Sequence, residues 1–457
     1  MSSVAQHRPF PADFLWGAAT AAYQIEGAAD QHGRGPSVWD RFCRTPDKVW
    51  EGHDGRTACD HYHRHGDDVR LMKDLGLQAY RFSLSWTRLL PRGRGKVNAR
   101  GLDFYHRLVD SLLEAGIRPF CTLFHWDYPT VLFDEGGWGH RDSPAWFADY
   151  TALVARHLGD RIGDWMTFNE PQCFIGLGHG TGLHAPGLRL PMRAQLKMVR
   201  HVQLAHGLSV SALRAGCPNP VRIGWAPVGM VHYPATAKPA DVQAARRATN
   251  ACGRDHLFNN THWSDPVILG RVAPEARRAY GQLLPKYSEA DLHIMAQPLE
   301  FYGLNIYQGT PVKAGRDGRA KVVPFAPGNP RTAFGWNITP PALRWGPRFI
   351  HERYGLPVFI TENGLSNTDW VAQDGKVHDP QRIDFTSRYL RELRRAVADG
   401  VPVKGYFHWS LLDNFEWAEG YKQRFGLIHV DYETQRRTPK DSYHWYREVI
   451  RRRGAVL

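Results

Sequence analysis

The chain has 457 residues, 16 tryptophans, six cysteines and a formal net charge of +13. No stretch approaches the ~18 consecutive apolar residues of a membrane span, and residues 1–10 lack the apolar core of a leader peptide. Cys43, Cys59, Cys121, Cys173, Cys217 and Cys252 are scattered with no C-x-x-C pair, which points to free thiols in a cytoplasmic protein. The arginine clusters at 391–395, 436–437 and 451–453 are short and accompany no nucleic-acid motif, so they read as solvated helix faces. Length alone would allow about three domains, but no linker or composition break divides the chain, and residues 1–457 are expected to form one catalytic domain.

In chain order, short β-branched or aromatic runs recur every 40 to 80 residues, and most are followed by a helical pattern. That alternation predicts a parallel sheet. Strands are expected at 14–17, 79–83, 119–124, 165–168, 221–226, 301–305, 358–361 and 403–409. Helices are expected at 67–75 and 102–115, each closed by a glycine, then one opening on Ser143 as N-cap with Pro144 at the first turn, then 194–214. A helix around 241–258 and a long Gly/Pro-rich loop at 308–340 complete the reading. Eight strand–helix units fit a (β/α)8 TIM barrel with extended loops at the carboxyl-terminal face of the strands.

Function in such a barrel gathers at the carboxyl ends of the strands. The tips here deliver Gln24, Arg81, His125, Asn169 with Glu170, Asn305 with Tyr307, Glu362 and Trp409. Only the fifth strand, ending Gly224-Trp225-Ala226-Pro227, offers no chemical group. Two strands end on a glutamate: Thr167-Phe168-Asn169-Glu170-Pro171 and Ile360-Thr361-Glu362-Asn363-Gly364. A single such glutamate could be a turn acid, but a pair is the minimal equipment for glycoside hydrolysis.

Those two segments resemble the signatures of glycoside hydrolase family 1, the β-glucosidase family, and the resemblance extends from Phe14-Leu15-Trp16-Gly17 to Arg424-Phe425-Gly426-Leu427. It implies a retaining β-glycosidase acting on β-D-glucosides or short oligosaccharides, with β-galactosides and β-fucosides tolerated, and it implies no metal or organic cofactor. Glu170 would be the general acid/base and Glu362 the nucleophile, with carboxyls ~5–5.5 Å apart. Arg81 would support the nucleophile, with Tyr307 beside it. Gln24, His125, Trp126, Asn169, Asn305, Tyr307, Trp409, Glu416 and Trp417 would bind the sugar, and Cys173 and Trp336 would face the aglycone. Ile306, Asn337 and Tyr128 depart from the common family pattern and bear on aglycone preference. A non-catalytic sugar-binding relative would be expected to lack one glutamate. A transglycosidase would share every residue.

One other constellation competes. His61-Tyr62-His63-Arg64-His65 contains an H-x-H pair, a feature of metal-dependent hydrolases on the same barrel. It lies ahead of a helix rather than at a strand tip, so it is read as structural, with Asp60 or His61 capping or bridging.

Overall fold

The computed structural model describes residues 9–457; most of the stretch that lacks a leader's apolar core, residues 1–8, lies outside the described residues. The apolar runs pair as eight parallel strands: β1 (Leu15–Ala19), β2 (Ala79–Ser83), β3 (Arg118–Phe124), β4 (Asp164–Asn169), β5 (Arg222–Ala226), β6 (Phe301–Asn305), β7 (Val358–Asn363) and β8 (Val403–Trp409). Each pairs with its sequence neighbours, and β1 pairs with β8 from Leu15↔Gly405 to Ala19↔Trp409, which closes the barrel. Closure leaves no free edge and puts all eight carboxyl ends at one face.

The barrel interior is solid. Phe120, Phe301, Phe359 and Phe407 meet inside it with ring centroids 4.9 to 5.5 Å apart. Glycines on adjacent strands make room for them: a Cβ on Gly17 would stand 2.5 Å from the Phe407 ring, and one on Gly224 would overlap Phe301. Below this layer Asp164 pairs with Arg118 and with Arg222 (2.6 Å), three strand-opening side chains that seal the amino-terminal end. Polar side chains at the other end therefore sit on a rigid apolar floor.

The two glutamate strands are irregular at their tips. The register of β4 on β5 shifts between Met166 and Asn169, and that of β7 on β6 shifts between Ile360 and Glu362. Such irregularities re-aim side chains without loosening the strand. Gly364 continues the effect, because a Cβ there would fall on the Trp409 carbonyl.

Several sequence expectations need correction. The helix expected at 67–75 spans His61–Leu75, so Asp67 and Asp68 lie in its middle. Asp60 adopts a left-handed conformation and makes no capping bond; instead His61 Nδ1 bonds the buried Asp68 at 2.7 Å, and Asp68 also accepts from Arg437. That pairing corrects the solvated helix face expected at 436–437: Arg437 opens a short strand, Arg437–Pro439, and its side chain is packed inward on Asp68. The helix expected to take Ser143 as its N-cap begins at Ser143 itself, with Asp142 at the N-cap position. The helix expected to reach residue 258 is Pro239–Thr249. The segment 308–340 is not wholly loop: Thr310–Ala314 and Ala320–Val322 join His232–Pro234 in a three-stranded sheet. Its alternation is short and interrupted by glycine, so the pattern was masked until a distant segment supplied a partner.

Candidate active site

At the carboxyl-terminal face the strand tips and loops enclose a cavity of about 620 Å³. His125, Trp126, Asn169, Glu170, Asn305, Tyr307, Glu362, Trp409, Glu416 and Trp417 line it, together with Cys173 and Trp336. Gln24 and Arg81 are fully buried behind this wall. All fourteen residues singled out from sequence thus converge on one place.

Glu362 is the more strongly anchored of the two strand-tip carboxylates. Arg81 Nη1 donates to its Oε1 at 2.5 Å and Tyr307 Oη to its Oε2 at 2.7 Å. Burial raises its pKa, and the Arg81 charge and the Tyr307 hydroxyl oppose that rise. Glu170 has weaker company: Asn305 Nδ2 at 3.0 Å on Oε1 and the Cys173 thiol at 3.3 Å on Oε2. Its pKa is pushed up to about 8, first by burial and then by the charge of Glu362. Burial raises both carboxyls, but only Glu362 has a guanidinium and a phenol to favour its anion, so Glu170 is the better placed of the two to keep a proton.

A hydrogen-bond chain fixes the polar floor. Asn169 Oδ1 accepts from Arg81 Nη2 at 2.5 Å and from Asn305 Nδ2 at 2.9 Å. Its Nδ2 must then point at His125 Nε2, 3.0 Å away. That assignment makes Nε2 the acceptor and places the His125 proton on Nδ1, which has no protein partner. Burial and the nearby Arg81 hold His125 well below its ordinary pKa, so the ring is neutral. Gln24 Nε2 donates to Asn414 Oδ1 and the Phe415 carbonyl, leaving its Oε1 free as an acceptor. Glu416 is pushed up to about 8 by burial and by the charges of Glu362 and Glu170. A free donor, a free acceptor and a carboxyl that can play either part suit a surface of sugar hydroxyls.

The apolar side is aromatic. His125 stacks at 19° against both Trp409 (5.8 Å) and Trp417 (5.9 Å), and Trp126 packs on Trp417 at 4.5 Å. Trp126, Glu170 and Trp417 all hold left-handed backbone, with φ of 81°, 43° and 53°. Strain of that kind persists only where surrounding bonds over-determine it. Trp126 Nε1 donates to the Asn169 carbonyl at 2.9 Å, and the Glu170 amide donates to the Ala226 carbonyl at 2.8 Å.

The 409–417 loop is held from behind by a charged network. Lys440 Nζ bonds Asp413 at 2.7 Å and Asp369 at 2.5 Å; Arg424 bonds Asp413 at 2.8 Å, and Arg382 bonds Asp379 at 2.8 Å and also Asp369. Three cations meet three carboxylates, and all of them but the half-buried Arg424 are buried. Lys422 stands outside this network: it pairs with Glu419 at 2.9 Å and lies 4.1 Å over the Trp50 ring.

Sequence reasoning missed much of the outer wall. Leu177, His184, Met230, His232, Phe258 and Phe334 also line the cavity. Met230 and His232 follow β5, the strand whose tip looked empty. It also missed the bond from Cys173 to Glu170, because Glu170 stands ahead of the helix on left-handed backbone, where helical spacing gives no signal.

Comparison with known proteins agrees with this geometry. The model of Glycosyl hydrolase family 1 matches residues 6–455. "Beta-glucosidase A" of Acetivibrio thermocellus is 42% identical over 454 residues, covering 97% of this chain and 99% of that protein. The "Bifunctional beta-D-glucosidase/beta-D-fucosidase" of Bifidobacterium breve is 41% identical, covering 96% and 98%. The solved structure titled "Beta-glucosidase from Thermotoga maritima in complex with glucoimidazole" superposes with a TM-score of 0.89 at 42% identity, covering 98% of this chain and 99% of that one. With a closed eight-stranded barrel in common and near-complete coverage in both directions, this chain belongs to glycosyl hydrolase family 1.

Proposed function

We propose that the protein is a retaining β-glycosidase that releases terminal β-D-glucose from small-molecule glycosides and short oligosaccharides, with β-D-galactosides and β-D-fucosides also accepted. The observation that carries this reading is the pair of buried glutamates with opposed surroundings in one cavity. Glu362, kept anionic by Arg81 and Tyr307, attacks C1 of the sugar. Glu170 gives its proton to the departing glycosidic oxygen. Esterification of Glu362 removes the charge that held a proton on Glu170, so Glu170 then acts as a base toward water. The sugar's hydroxyls meet His125, Gln24 and Glu416, and its C–H face meets Trp409. Cys173 and Trp336 meet the aglycone.

Names among the relatives support glucoside and fucoside substrates. Both glutamates come from strands of the same closed barrel, and we read residues 1–457 as one catalytic unit. Among the described residues no helix is long and apolar enough to cross a membrane. The six cysteines stand as free thiols, which favours a cytoplasmic, reducing setting. Proton NMR of the first product tests the stereochemistry: β-glucose should form before mutarotation, and α-glucose as the initial anomer would exclude a nucleophilic Glu362.

A further inference from the structure

The two oxygens of Glu170 are not equivalent. Oε1 receives the Asn305 amide at 3.0 Å, which leaves that oxygen an acceptor whatever the protonation state. Oε2 has the Cys173 thiol at 3.3 Å. The transferable proton therefore belongs on Oε2, the oxygen beside the sulfur. Cys173 lines the cavity and is 7% exposed. Its placement is built in locally: Glu170 turns the chain on left-handed backbone, Pro171 and Gln172 start a helical turn, and the Cys173 amide donates to the Glu170 carbonyl at 2.9 Å.

We infer that Cys173 is a positioning residue for proton transfer, its S–H donating to Glu170 Oε2 whenever Glu170 is a carboxylate. The inference rests on the reading of Glu170 as acid/base. While Glu170 is protonated, its O–H points at the leaving oxygen and the thiol is a spectator. Once that proton has moved to the leaving group, the thiol rotates about its Cβ–Sγ bond and donates to the new anion. The thiol proton stays on sulfur throughout. Burial and the two carboxylate charges raise the pKa of Cys173 well above the ordinary range, so it serves as a neutral donor and not as a nucleophile. A donor to the charged form favours that form, so Cys173 lowers the pKa of Glu170 and eases its change from acid to base.

The test is the pH dependence of kcat/KM on an aryl glucoside with a poor leaving group, for the wild type, Cys173→Ser and Cys173→Ala. Glu362 on β7, Arg81 on β2, Tyr307 after β6, Glu416 after β8 and the neutral His125 after β3 also face Glu170, and none is altered by these changes. Serine keeps a donor and alanine removes it at little cost in volume. The alkaline limb should move up by about half a pH unit in Cys173→Ala, ~3-fold in the ionisation constant. In Cys173→Ser it should stay at or below the wild-type position. An alanine limb that coincides with wild type, or alanine and serine limbs that move together, would overturn the inference and leave Cys173 as packing. Glu170→Gln, its residual activity followed alongside on the same aryl glucoside, separates the two readings. If the alkaline limb survives there, the acid/base assignment itself fails; if it vanishes while Cys173→Ala stays put, only the role of Cys173 fails.

Discussion

Replacing Tyr307 by phenylalanine removes one hydroxyl and tests what holds Glu362, the proposed nucleophile, ionised. Tyr307 Oη lies 2.7 Å from Glu362 Oε2, and the ring packs on Trp336 at 5.1 Å and on Phe425 at 6.0 Å. Phenylalanine keeps that packing, so the change isolates the hydrogen bond. A bond to a charged group contributes about 1.5–3 kcal/mol, and one pKa unit corresponds to about 1.36 kcal/mol. The hydroxyl stabilises the carboxylate, so its loss raises the pKa of Glu362 by about 1–2 units. Attack needs the ionised form, hence the acid limb of kcat/KM should move to higher pH by that amount. On the old acid limb the rate should fall ~10–100-fold, and much less toward neutral pH. The assay is kcat/KM against pH on dinitrophenyl glucoside, whose leaving group needs no acid. Arg81 remains in place at 2.5 Å, so the limb should shift rather than disappear. A limb that stays where it was, or moves to lower pH, would refute the claim that Tyr307 holds Glu362 charged.

Glu170→Ala should keep its glycosylation rate on dinitrophenyl glucoside, lose it on cellobiose, and deglycosylate slowly after either; equal single-turnover losses on both substrates would move the acid role to another residue. Glu362→Ala should fold normally and lose activity by orders of magnitude, while a 2-fluoro-glucoside should label Glu362 in the wild type; a labelled peptide from elsewhere in the chain would overturn the assignment. A nitrophenyl 6-phospho-β-glucoside should be turned over with kcat/KM at least ~10³ lower than its unphosphorylated counterpart, from about 4 kcal/mol of lost transition-state binding. Among the described residues no arginine or lysine lines the cavity, and Lys422 is committed to Glu419, so the phosphate would lose its water with no cation in exchange. A proton on Glu416 softens the direct repulsion, but Trp417 still fills the space. Comparable values for the two substrates would remove Glu416 and Trp417 from the set proposed to bind the sugar.

The sequence by itself determined the barrel strands and which polar groups stand at their tips. Strand signals are local: Phe359-Ile360-Thr361 or Trp165-Met166-Thr167-Phe168 bury a β-branched and aromatic run whatever surrounds it, and a polar residue at the end of such a run falls at one face of a parallel barrel. Glu170, Glu362, His125 and Trp409 were legible for that reason. The tertiary structure decided what those groups are. The unlike surroundings of Glu170 and Glu362 come from Arg81, Tyr307 and Asn305, which lie 55 to 281 residues from the glutamates they touch. The His125 tautomer follows from Asn169, whose orientation is set by two donors on other strands. The small sheet of His232–Pro234 with Thr310–Ala314 formed only when two segments unreadable by themselves found each other. Apolar periodicity is a property of a short stretch of chain, whereas burial, charge neighbours and hydrogen-bond direction are properties of what packs against it, and that is fixed only when the barrel closes.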